Sequence, residues 1–557
     1  MRVFLESKII LLNYLFRPIL EVLFVFNLHE YTLSAKVIEL FNKLKIQSYS
    51  TQKIFNFQMQ IEANNYLVAV LGAGTMGEGI AQTVASSGHP VMLYDVSQQQ
   101  LQIAIENIAK RLERSVKKEK ITAQKRDHIL ENISLQKTLG ELAKGKLVIE
   151  AIIEDLAIKQ TVLCEVESLV TEDVILATNT SSFDLNKMGN VLKRPQHLVG
   201  MHFFNPAPVM ALVEIVSSKH TAPLVADTVF KLSEQWGKSP VHVRSSPGFI
   251  VNRVARPFYG EALEIIKENG IDAADCDAIM RDCGGFRMGP FELMDLIGLD
   301  VNYAVTSQIW ESYHRHPRFA PSVLQKELVD SGQLGRKSGK GFFEYGENEV
   351  NSSAKNAKPT PAPDSVILEG QGKLPKSLQK LLKGGSVPVQ NNSGDGNIRF
   401  SEGTIVVPSN GKSSTERSSE IGQSVISIDL CLDFEYSSRV VLAPAQECPE
   451  KDLQQAVGLF QSLGKKVSVI KDIAGMVVTR TVAMLANESS LLVEEEVADV
   501  AGVDLAMRKG VNYPLGPLEW AEQWGWHSVV ETLENLAQVN AERYKTSEWL
   551  RTRANIS

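Results

Sequence analysis

The sequence predicts an α/β domain with a parallel, doubly wound sheet, followed by an all-α helical domain that is present twice. Alternating strands and helices run from a glycine-rich turn to about residue 245. Helical periodicity follows, and the same helical pattern returns near residue 475. A domain has roughly 100–200 residues, so a chain of 557 residues is also too long for one core.

The composition excludes several classes of protein. Apolar residues make up 44% and charged residues 22%, which argues against disorder, a fibre or a multi-span membrane protein. The net charge of −7 gives no strongly basic surface, so we expect no nucleic-acid partner. Five cysteines without a CxxC pair predict no metal site and a reducing, cytoplasmic location. Cys276 and Cys283 are interpreted as paired core thiols on one helix face.

The first 58 residues are apolar but are interrupted by polar residues and a proline. No run reaches the roughly 20 apolar residues that span a bilayer, and we expect no membrane partner. Met59 stands seven residues before Tyr66, where the first clear strand begins. We therefore expect residues 1–58 to be a dispensable extension. A membrane-surface anchor and an added structural element are the alternatives.

A glycine turn predicts a dinucleotide site in the first domain, residues 59–245. An apolar strand leads into Gly72, Gly74 and Gly77 in GxGxxG spacing, and a helix follows. Gly72 permits the tight turn, and Gly74 lets the backbone approach a pyrophosphate. Gly77 allows close packing of the helix on the strand.

The residues after this turn specify the cofactor. Thr75 and Met76 lie at the helix N-terminus, whose free N–H groups attract phosphates. Asp95 ends the second strand, where a carboxylate accepts hydrogen bonds from the adenosine ribose and repels a 2′-phosphate. The sequence thus predicts a Rossmann-like domain that binds NAD.

His202 and Glu214 are candidates for acid–base chemistry. They lie twelve residues apart in HLVGMHFFNPAPVMALVEIV, which fits one strand leaving a cleft and another entering it. Imidazole titrates near neutral pH and can take the proton that an alcohol releases on oxidation. A lone histidine in an apolar segment is often a core residue instead, and the spacing leaves that alternative open.

Seven ordered segments across residues 66–345 resemble the 3-hydroxyacyl-CoA dehydrogenase family. They are GAGTMGEGIAQ, VIEAIIEDLAIKQ, NTSS, HFFNPAPVMALVEIV, SPGFIVNR, MGPFELMDLIGLD and GRKSGKGFFEY. The resemblance implies oxidation of an L-3-hydroxyacyl-CoA to the 3-ketoacyl-CoA with NAD. It makes His202 the general base and Glu214 the residue that orients it. It also implies that Ser181 and Asn252 contact the oxygens of the substrate.

The same resemblance implies further ligand contacts. The basic helix at residues 111–120 is either a solvated face or a contact for coenzyme A phosphates, and the family pattern favours its Lys118. The remaining implied residues are Asn205 for the substrate and Glu154, Lys159, Asn179 and Lys337 for the cofactor.

An internal repeat has a constant offset of 227 residues. GFIVNR at Gly248 aligns with GMVVTR at Gly475, and MGPFEL aligns with LGPLEW. We interpret residues 246–346 and 471–557 as two helical copies. The second copy has Thr479 where the first has Asn252, so we expect it to be structural. A monomer with the copies paired within the chain and a homodimer both remain open.

The segment between the two copies carries few motifs. Residues 347–365 read as a linker, and 366–470 as a degenerate α/β segment with low-complexity loops. The role of 384–424 is unassigned. This segment has no phosphate turn, so we expect no second cofactor.

Two questions about function remain at this level. The long form with two helical copies resembles bacterial enzymes of phenylacetate catabolism, which implies 3-hydroxyadipyl-CoA as substrate, with 3-hydroxybutyryl-CoA as the close alternative. A catalytically silent NAD- or acyl-CoA-binding protein of the same fold is the other possibility. A basic residue at the end of the pocket selects a dicarboxylic acyl chain, but the sequence does not place the candidates Arg256, Arg281 and Arg287.

Overall fold

The computed structural model describes residues 66–268, 270–346, 354–370, 374–400 and 403–556. The extension expected at residues 1–58 lies outside these ranges. Within them, none of the helices combines the length and the apolar character that a membrane crossing requires.

The first sheet confirms the predicted α/β domain. Its described strands have the order β3-β2-β1-β4-β5-β6-β7-β8. All neighbours are parallel except β6 and β7, which are antiparallel. The loop between them is too short for a parallel crossover, which needs a dozen or more residues. The strands are β1 Val68–Leu71, β2 Val91–Tyr94, β3 Ile133–Leu135, β4 Leu147–Glu150, β5 Ile175–Thr178, β6 Leu198–Phe203, β7 Leu212–Ser217 and β8 Ser239–Arg244.

Helices connect these strands, and their ends have local causes. The side chain of Ser97 caps the long second helix by accepting from Gln100 N at 3.2 Å. Asp155 caps the fourth helix in the same way. The helices are α1 Thr75–Ser86, α2 Gln98–Lys117, α3 Ala123–Glu131, α4 Leu156–Leu169, α5 Leu185–Gly189 and α6 Pro223–Gln235.

The first helical copy packs beyond β8. Its first helix is broken at Ala255, two residues before Pro257, which lacks the N–H that a continuous helix needs. Position 289, just before another helix, requires glycine, because a Cβ atom there would lie 2.3 Å from Asp277 Cβ. The helices are α7 Val251–Val254, α8 Arg256–Lys267, α9 Ala273–Asp282, α10 Pro290–Ile297, α11 Leu299–Ser312 and α12 Val323–Asp330.

A second sheet follows, and its described strands have the order β10-β9-β11-β12-β13-β14-β15. The strands are β9 Val366–Glu369, β10 Val389–Asn392, β11 Asn397–Arg399, β12 Ile405–Pro408, β13 Val425–Ile428, β14 Arg439–Pro444 and β15 Lys466–Val469. The helices between them are α13 Lys376–Lys383, α14 Ser414–Ile421 and α15 Glu450–Ser462.

Residues 384–424 are not the low-complexity loops that we expected, because they supply three strands and a helix of this sheet. An exposed edge strand pairs through its backbone, so the polar side chains of Val389–Asn392 do not prevent pairing. The described part of the expected linker is also held to the fold. Lys355 N donates to Asp275 Oδ1 at 2.6 Å, and Ala357 N donates to Val467 O at 2.8 Å.

The second helical copy ends the described chain. Its first helix is continuous where that of the first copy is broken, because Met484 stands in place of Pro257 at the 227-residue offset. The helices are α16 Val478–Glu494, α17 Val500–Gly510, α18 Pro517–Trp524, α19 Trp526–Val539 and α20 Glu548–Ile556.

Ion pairs join the two helical copies about a local two-fold relation. Arg253 Nε donates to Glu488 Oε1 at 2.5 Å, and its other nitrogens contact Glu495. The pairs related by the 227-residue offset are made as well: Arg480 contacts Glu261 at 2.7 Å and Glu268 at 2.9 and 3.0 Å. The two repeated helical copies therefore also pair with each other within the chain.

The repeat extends further back than the sequence motifs indicate. At the 227-residue offset, β13 corresponds to the first four residues of β6, β14 to the whole of β7 and β15 to the first four residues of β8. The antiparallel register between β13 and β14 is the same as that between β6 and β7. By this register Asp429 replaces His202, and Val441 replaces Glu214. The second copy thus retains the frame of the first but lacks its histidine–glutamate pair.

Cys276 and Cys283 are both buried free thiols, as expected of core residues. The thiol neighbour of Cys283, however, is Cys431, which lies between β13 and β14, and burial raises the pKa of Cys283 well above its usual value. Among the described residues no cluster of three potential metal ligands occurs.

Candidate active site

The carboxyl ends of β1, β4, β5 and β6 border a cleft of about 920 Å³, the main cleft. Parallel sheets bind ligands at this edge. Most residues that the sequence singled out lie here. Those lining the main cleft are Gly72, Gly74, Thr75, Met76, Asp95, Glu154, Lys159, Asn179, Ser181, His202, Asn205 and Asn252.

The glycine turn has the geometry that a dinucleotide requires. Gly72 has φ +102°, and a Cβ there lies 2.5 Å from Ala151 O. A Cβ on Gly77 lies 1.8 Å from Gly72 O, so both glycines are fixed by their surroundings. A Cβ on Gly74 meets nothing within 4 Å and points into open space. The residues thus fit a pyrophosphate at Gly74 and the N-terminus of α1.

Gly74 and Gly77 therefore give opposite predictions. We expect Gly74→Ala to keep the wild-type melting temperature but to weaken NAD binding by about tenfold or more, equivalent to 1.4 kcal/mol. The added methyl group contacts no protein atom within 4 Å and occupies only space that the ligand would fill. Gly77→Ala is expected to lower the melting temperature, because its methyl group overlaps the backbone. NADH fluorescence titration and thermal melts measure both effects. Equal melting temperatures for the two variants contradict this assignment.

Asp95 lies beside the glycine turn at the end of β2. Its Oδ2 accepts from Ala73 N at 2.8 Å, and its Oδ1 accepts from Ser97 N at 2.9 Å. The carboxylate is therefore fixed at the mouth of the cleft. Nearby, Val96 and Ile153 line the cleft with side chains that are 89% and 67% exposed. Apolar walls of this kind suit the flat rings of a dinucleotide, and sequence motifs did not indicate them.

His202 and Glu214 are in direct contact. They are opposite residues on β6 and β7, and His202 Nδ1 lies 2.5 Å from Glu214 Oε2. Glu214 is fully buried, and its Oε1 accepts from Ile250 N at 2.9 Å and Val251 N at 3.0 Å. These N–H groups belong to the start of the first helical copy. Three donors thus hold one carboxylate, which in turn fixes the imidazole ring.

Glu154 organises the turn that carries Ser181. Its Oε1 accepts from Thr180 Oγ1 at 2.6 Å, from Ser181 N at 3.2 Å and from Ser182 Oγ. Burial alone raises the pKa of Glu154, but Lys159 and the two hydroxyl groups together hold it below its ordinary value. The carboxylate is consequently charged at neutral pH. It fixes the backbone of Ser181 at the cleft.

Lys159 is buried under the main cleft with a partner that the sequence analysis missed. Its Nζ lies 2.6 Å from Glu150 Oε1 and 3.1 Å from Glu154 Oε2. Glu150 ends β4 and also accepts from Thr178 Oγ1 at 2.7 Å. The sequence signal that could have indicated Glu150 is an acidic residue at the last position of a buried strand. Asn179 accepts from Phe203 N at 2.9 Å and so links β5 to β6.

Four predicted residues do not line the main cleft. Glu214 lies behind His202, and Gly77 is buried in α1. Lys337 Nζ forms an ion pair with Asp300 at 2.6 Å, and Lys118 is the exposed C-terminal cap of α2.

A second cavity of about 850 Å³ continues from the main cleft. The two share Phe204, Asn205, Asn252 and Val305. Both helical copies line the second cavity, with Gly510–Tyr513 contributed by the second. Arg256 and Arg287 line it, whereas Arg281 contacts Glu292 at 2.7 Å. An elongated ligand can therefore extend from His202 into a cavity with basic residues.

Three family models match the chain. The 3-hydroxyacyl-CoA dehydrogenase NAD binding domain matches residues 67–246. The 3-hydroxyacyl-CoA dehydrogenase C-terminal domain matches twice, at residues 248–345 and 475–556. The reduced Rossmann-fold domain of 3-hydroxybutyryl-CoA dehydrogenase matches residues 406–473, which include most of the second sheet.

Individual proteins are similar over half of the chain or more. The 3-hydroxyadipyl-CoA dehydrogenase of Escherichia coli K12 is 37% identical over 494 residues, which cover 88% of this chain and 98% of that protein. A 3-hydroxybutyryl-CoA dehydrogenase of Clostridioides difficile is 40% identical over 278 residues, covering 50% and 99%. The crystal structure of 3-hydroxybutyryl-CoA dehydrogenase from Escherichia coli K12 has a TM-score of 0.79 at 37% identity, covering 88% of this chain and 98% of that one.

Proposed function

The chain belongs to the 3-hydroxyacyl-CoA dehydrogenase family, and from this premise we propose which residues carry its reaction, which acyl group it takes and how it is assembled. The protein is an NAD-dependent dehydrogenase that oxidises an L-3-hydroxyacyl-CoA to the 3-ketoacyl-CoA. The observation that carries the proposed site is the contact between His202 and Glu214 at a cleft that begins with a glycine turn.

His202 is the proposed general base. Its Nδ1 faces the Glu214 carboxylate, which favours the tautomer with the proton on Nδ1 and leaves Nε2 as an acceptor. Nε2 takes the proton of the 3-hydroxyl group, and Glu214 stabilises the resulting imidazolium. The two backbone N–H groups on Glu214 hold its charge in place throughout. The glycine turn and Asp95 would hold NAD in the main cleft, where its nicotinamide would supply the acceptor for the hydride from C3.

Ser181 and Asn252 are the proposed partners of the substrate oxygens. Both line the main cleft with His202, one from the turn after β5 and the other from α7. A hydroxyl and an amide group can donate to the thioester carbonyl and to the 3-oxygen as negative charge develops there. Asn205, which also borders both cavities, is proposed as a further substrate contact.

The proposed cofactor contacts follow the cleft from the glycine turn. Asp95 receives the ribose hydroxyl groups, while Gly72, Gly74, Thr75 and Met76 receive the pyrophosphate. The contacts proposed nearer the reacting carbon are those of Glu154, Lys159 and Asn179. Contacts of Lys337 with NAD and of Lys118 with coenzyme A remain proposals without support from the cleft geometry.

We also propose 3-hydroxyadipyl-CoA as the substrate. A relative that covers 88% of the chain is named for this compound, whereas a solved structure with the same coverage is named for 3-hydroxybutyryl-CoA. A second cavity with two arginines also suits an acyl chain that ends in a carboxylate. The family also contains 3-hydroxybutyryl-CoA dehydrogenases, so the shorter compound is the competing substrate.

The working assembly is proposed from the pairing of the copies. Among the described residues, six arginine–glutamate pairs already join the two helical copies within one chain. A monomer is therefore the proposed unit, and size-exclusion chromatography with light scattering tests it. The five cysteines are free thiols, which fits a cytoplasmic location.

NADH absorbance with acetoacetyl-CoA tests the proposed reaction. We expect rapid consumption of NADH and much slower consumption of NADPH, because Asp95 repels a 2′-phosphate. The same assay in the oxidative direction then compares 3-hydroxyadipyl-CoA with 3-hydroxybutyryl-CoA. Folded protein that binds NADH but turns over none of these compounds contradicts the proposal. Equal rates with NADH and NADPH contradict the role of Asp95.

A further inference from the structure

Arg256 is a buried cation without a carboxylate partner. It is 6% exposed and lies at the start of α8 on the wall of the second cavity. Its Nε donates to Asn252 O at 2.8 Å, and its Nη1 donates to Thr306 Oγ1 at 2.9 Å. Within the part of the chain that the structure describes, no acidic residue forms an ion pair with it. Its guanidinium carbon also lies 5.0 Å from the centre of the Tyr259 ring, a cation–π contact. A buried guanidinium group without a carboxylate is still costly, so this arrangement needs an explanation.

The internal repeat supplies a comparison within the same molecule. The two copies share their structural charged residues, such as Arg253 with Arg480 and Asp277 with Asp504. At the position of Arg256 the second copy has Ala483. The second copy also lacks the counterparts of His202, Glu214 and Asn252. Arg256 therefore changes together with the residues that bear the chemistry, whereas the residues that hold the fold are kept.

Arg287 also lines the second cavity and also differs between the two copies. It is exposed on the rim of the second cavity, and the second copy has Pro514 at its position. Arg281, which pairs with Glu292 away from the cavity, is retained as Arg508, and that residue pairs with Glu519. An arginine that faces the cavity is thus lost from the second copy, and one that pairs on the surface is kept.

A tyrosine from the second helical copy faces the same cavity. Tyr513 is 7% exposed, and no described residue hydrogen-bonds its hydroxyl group. Its counterpart in the first copy is Phe286, whose ring lies 5.0 Å from that of Tyr513. Here the second copy has gained a polar atom on the side that faces the first copy's cavity.

We propose that Arg256 and Tyr513 together bind the terminal carboxylate of a dicarboxylic acyl chain and so determine the acyl specificity of the enzyme. This inference rests on the proposed function, since it assumes that the acyl chain extends from His202 into the second cavity. The guanidinium group supplies charge and a free nitrogen, Nη2, and the phenol supplies a second donor. Arg287 adds positive potential at the rim.

The position of Arg256 beside Asn252 fits a six-carbon chain. Asn252, the proposed partner of the reacting end, lies four residues before Arg256, and its backbone oxygen accepts from Arg256 Nε at 2.8 Å across the break at Ala255. Three extended bonds from C3 to C6 of the substrate span about 4 Å, as three bonds do across a trans peptide. A carboxylate at C6 therefore comes within reach of the long arginine side chain, whereas a four-carbon acyl group ends short of it.

Steady-state kinetics of Arg256→Met and Tyr513→Phe with two substrates of equal length test the proposal. The substrates are 3-hydroxyadipyl-CoA and 3-hydroxyhexanoyl-CoA, which differ in the terminal carboxylate. For Arg256→Met we expect kcat/KM for the dicarboxylic substrate to fall about 100-fold, as on loss of one partner of a buried charge pair. The value for 3-hydroxyhexanoyl-CoA stays the same or rises. Tyr513→Phe is expected to reduce only the dicarboxylic value, by about fivefold.

The controls separate specificity from folding and from activity. Arg281→Met removes a nearby arginine that pairs outside the cavity, and it should leave the ratio between the two substrates unchanged. Thermal melts and NADH titration identify any variant that folds poorly, and Arg256→Lys then provides a milder change with the charge kept. An equal loss for both substrates in folded Arg256→Met and a wild-type enzyme that prefers 3-hydroxyhexanoyl-CoA would each overturn the proposal. Turnover of 3-hydroxyhexanoyl-CoA in that case still supports the proposed dehydrogenase.

Discussion

Replacement of His202 by glutamine is expected to lower kcat about 10³-fold, within the range that a general base contributes. Glutamine can still donate to Glu214, but it has no nitrogen that accepts a proton at neutral pH. The main cleft is otherwise unchanged, so NADH binding should stay within about twofold of the wild type, or 0.4 kcal/mol. Nicotinamide absorbance measures turnover, and fluorescence titration measures binding.

A second histidine on the same strand segment provides the matched control. His197 lies at the amino end of β6, away from the main cleft, and its Nδ1 is 3.2 Å from Val174 O. His197→Gln should retain wild-type kcat. If His202→Gln loses NADH binding or keeps kcat within threefold of the wild type, the histidine has a structural role instead.

Replacement of Glu261 by glutamine is expected to have the largest effect on stability. Glu261 is fully buried and accepts from Arg480 at 2.7 Å, from Arg543 at 2.7 and 3.0 Å and from Tyr544 at 2.8 Å. The amide removes the carboxylate that pairs with the buried Arg543, and it leaves Arg480 with only the partly exposed Glu268 as counter-charge. Removal of one member of a buried ion pair costs about 3–5 kcal/mol. Urea unfolding followed by tryptophan fluorescence measures this loss.

The loss of stability in Glu261→Gln is expected to depend on pH. Burial alone raises the pKa of Glu261, but Arg543 and Arg480 outweigh it and hold the pKa below its usual value. A carboxylate with a lowered pKa stabilises the fold above its unfolded pKa of about 4.3, and this stabilisation is lost as the pH falls through the folded pKa. The difference between wild type and Glu261→Gln should therefore be full at pH 7 and shrink in acid.

Glu268→Gln is the control for this position. Glu268 contacts the same Arg480, but its side chain is 37% exposed, so water can replace its charge. We expect a loss of about 1 kcal/mol or less, as for exposed ion pairs. Equal losses for Glu261→Gln and Glu268→Gln would mean that burial does not govern the strength of these pairs.

The sequence predicted the residues whose chemistry depends on local order. The glycine turn and Asp95 follow from positions at strand ends, which spacing can locate. The pairing of His202 with Glu214 was indicated by the family resemblance, since spacing left a core histidine as the alternative. Arg256 and Tyr513 are different, because they come together only through the packing of two helical copies that are more than 200 residues apart. The sequence named Arg256 as a candidate but could not distinguish it from Arg281, whose partner Glu292 is revealed only by the structure.

The second sheet shows a further limit of prediction. Residues 384–424 lack the apolar alternation that indicates strands, yet Val389–Asn392 pairs at the sheet edge through its backbone. The match of β13–β15 with strands of the first sheet was also missed, because the motifs of the repeat begin at Gly475. At the 227-residue offset Asp429 stands in place of His202. Asp429 still accepts from Val477 N and Val478 N, as Glu214 does from Ile250 N and Val251 N.

The pairing of two helical copies within one chain has a consequence for how this enzyme can change. In a symmetric dimer of identical subunits, every substitution appears on both sides of the interface. Here Phe286 and Tyr513 occupy related positions but are encoded separately, so one side can gain a hydroxyl group while the other keeps a plain ring. The tether also sets the local concentration of one copy near the other, which makes their association independent of dilution. The two halves of this contact are therefore free to differ, so that one copy can carry the reacting residues while the other forms part of the cavity wall.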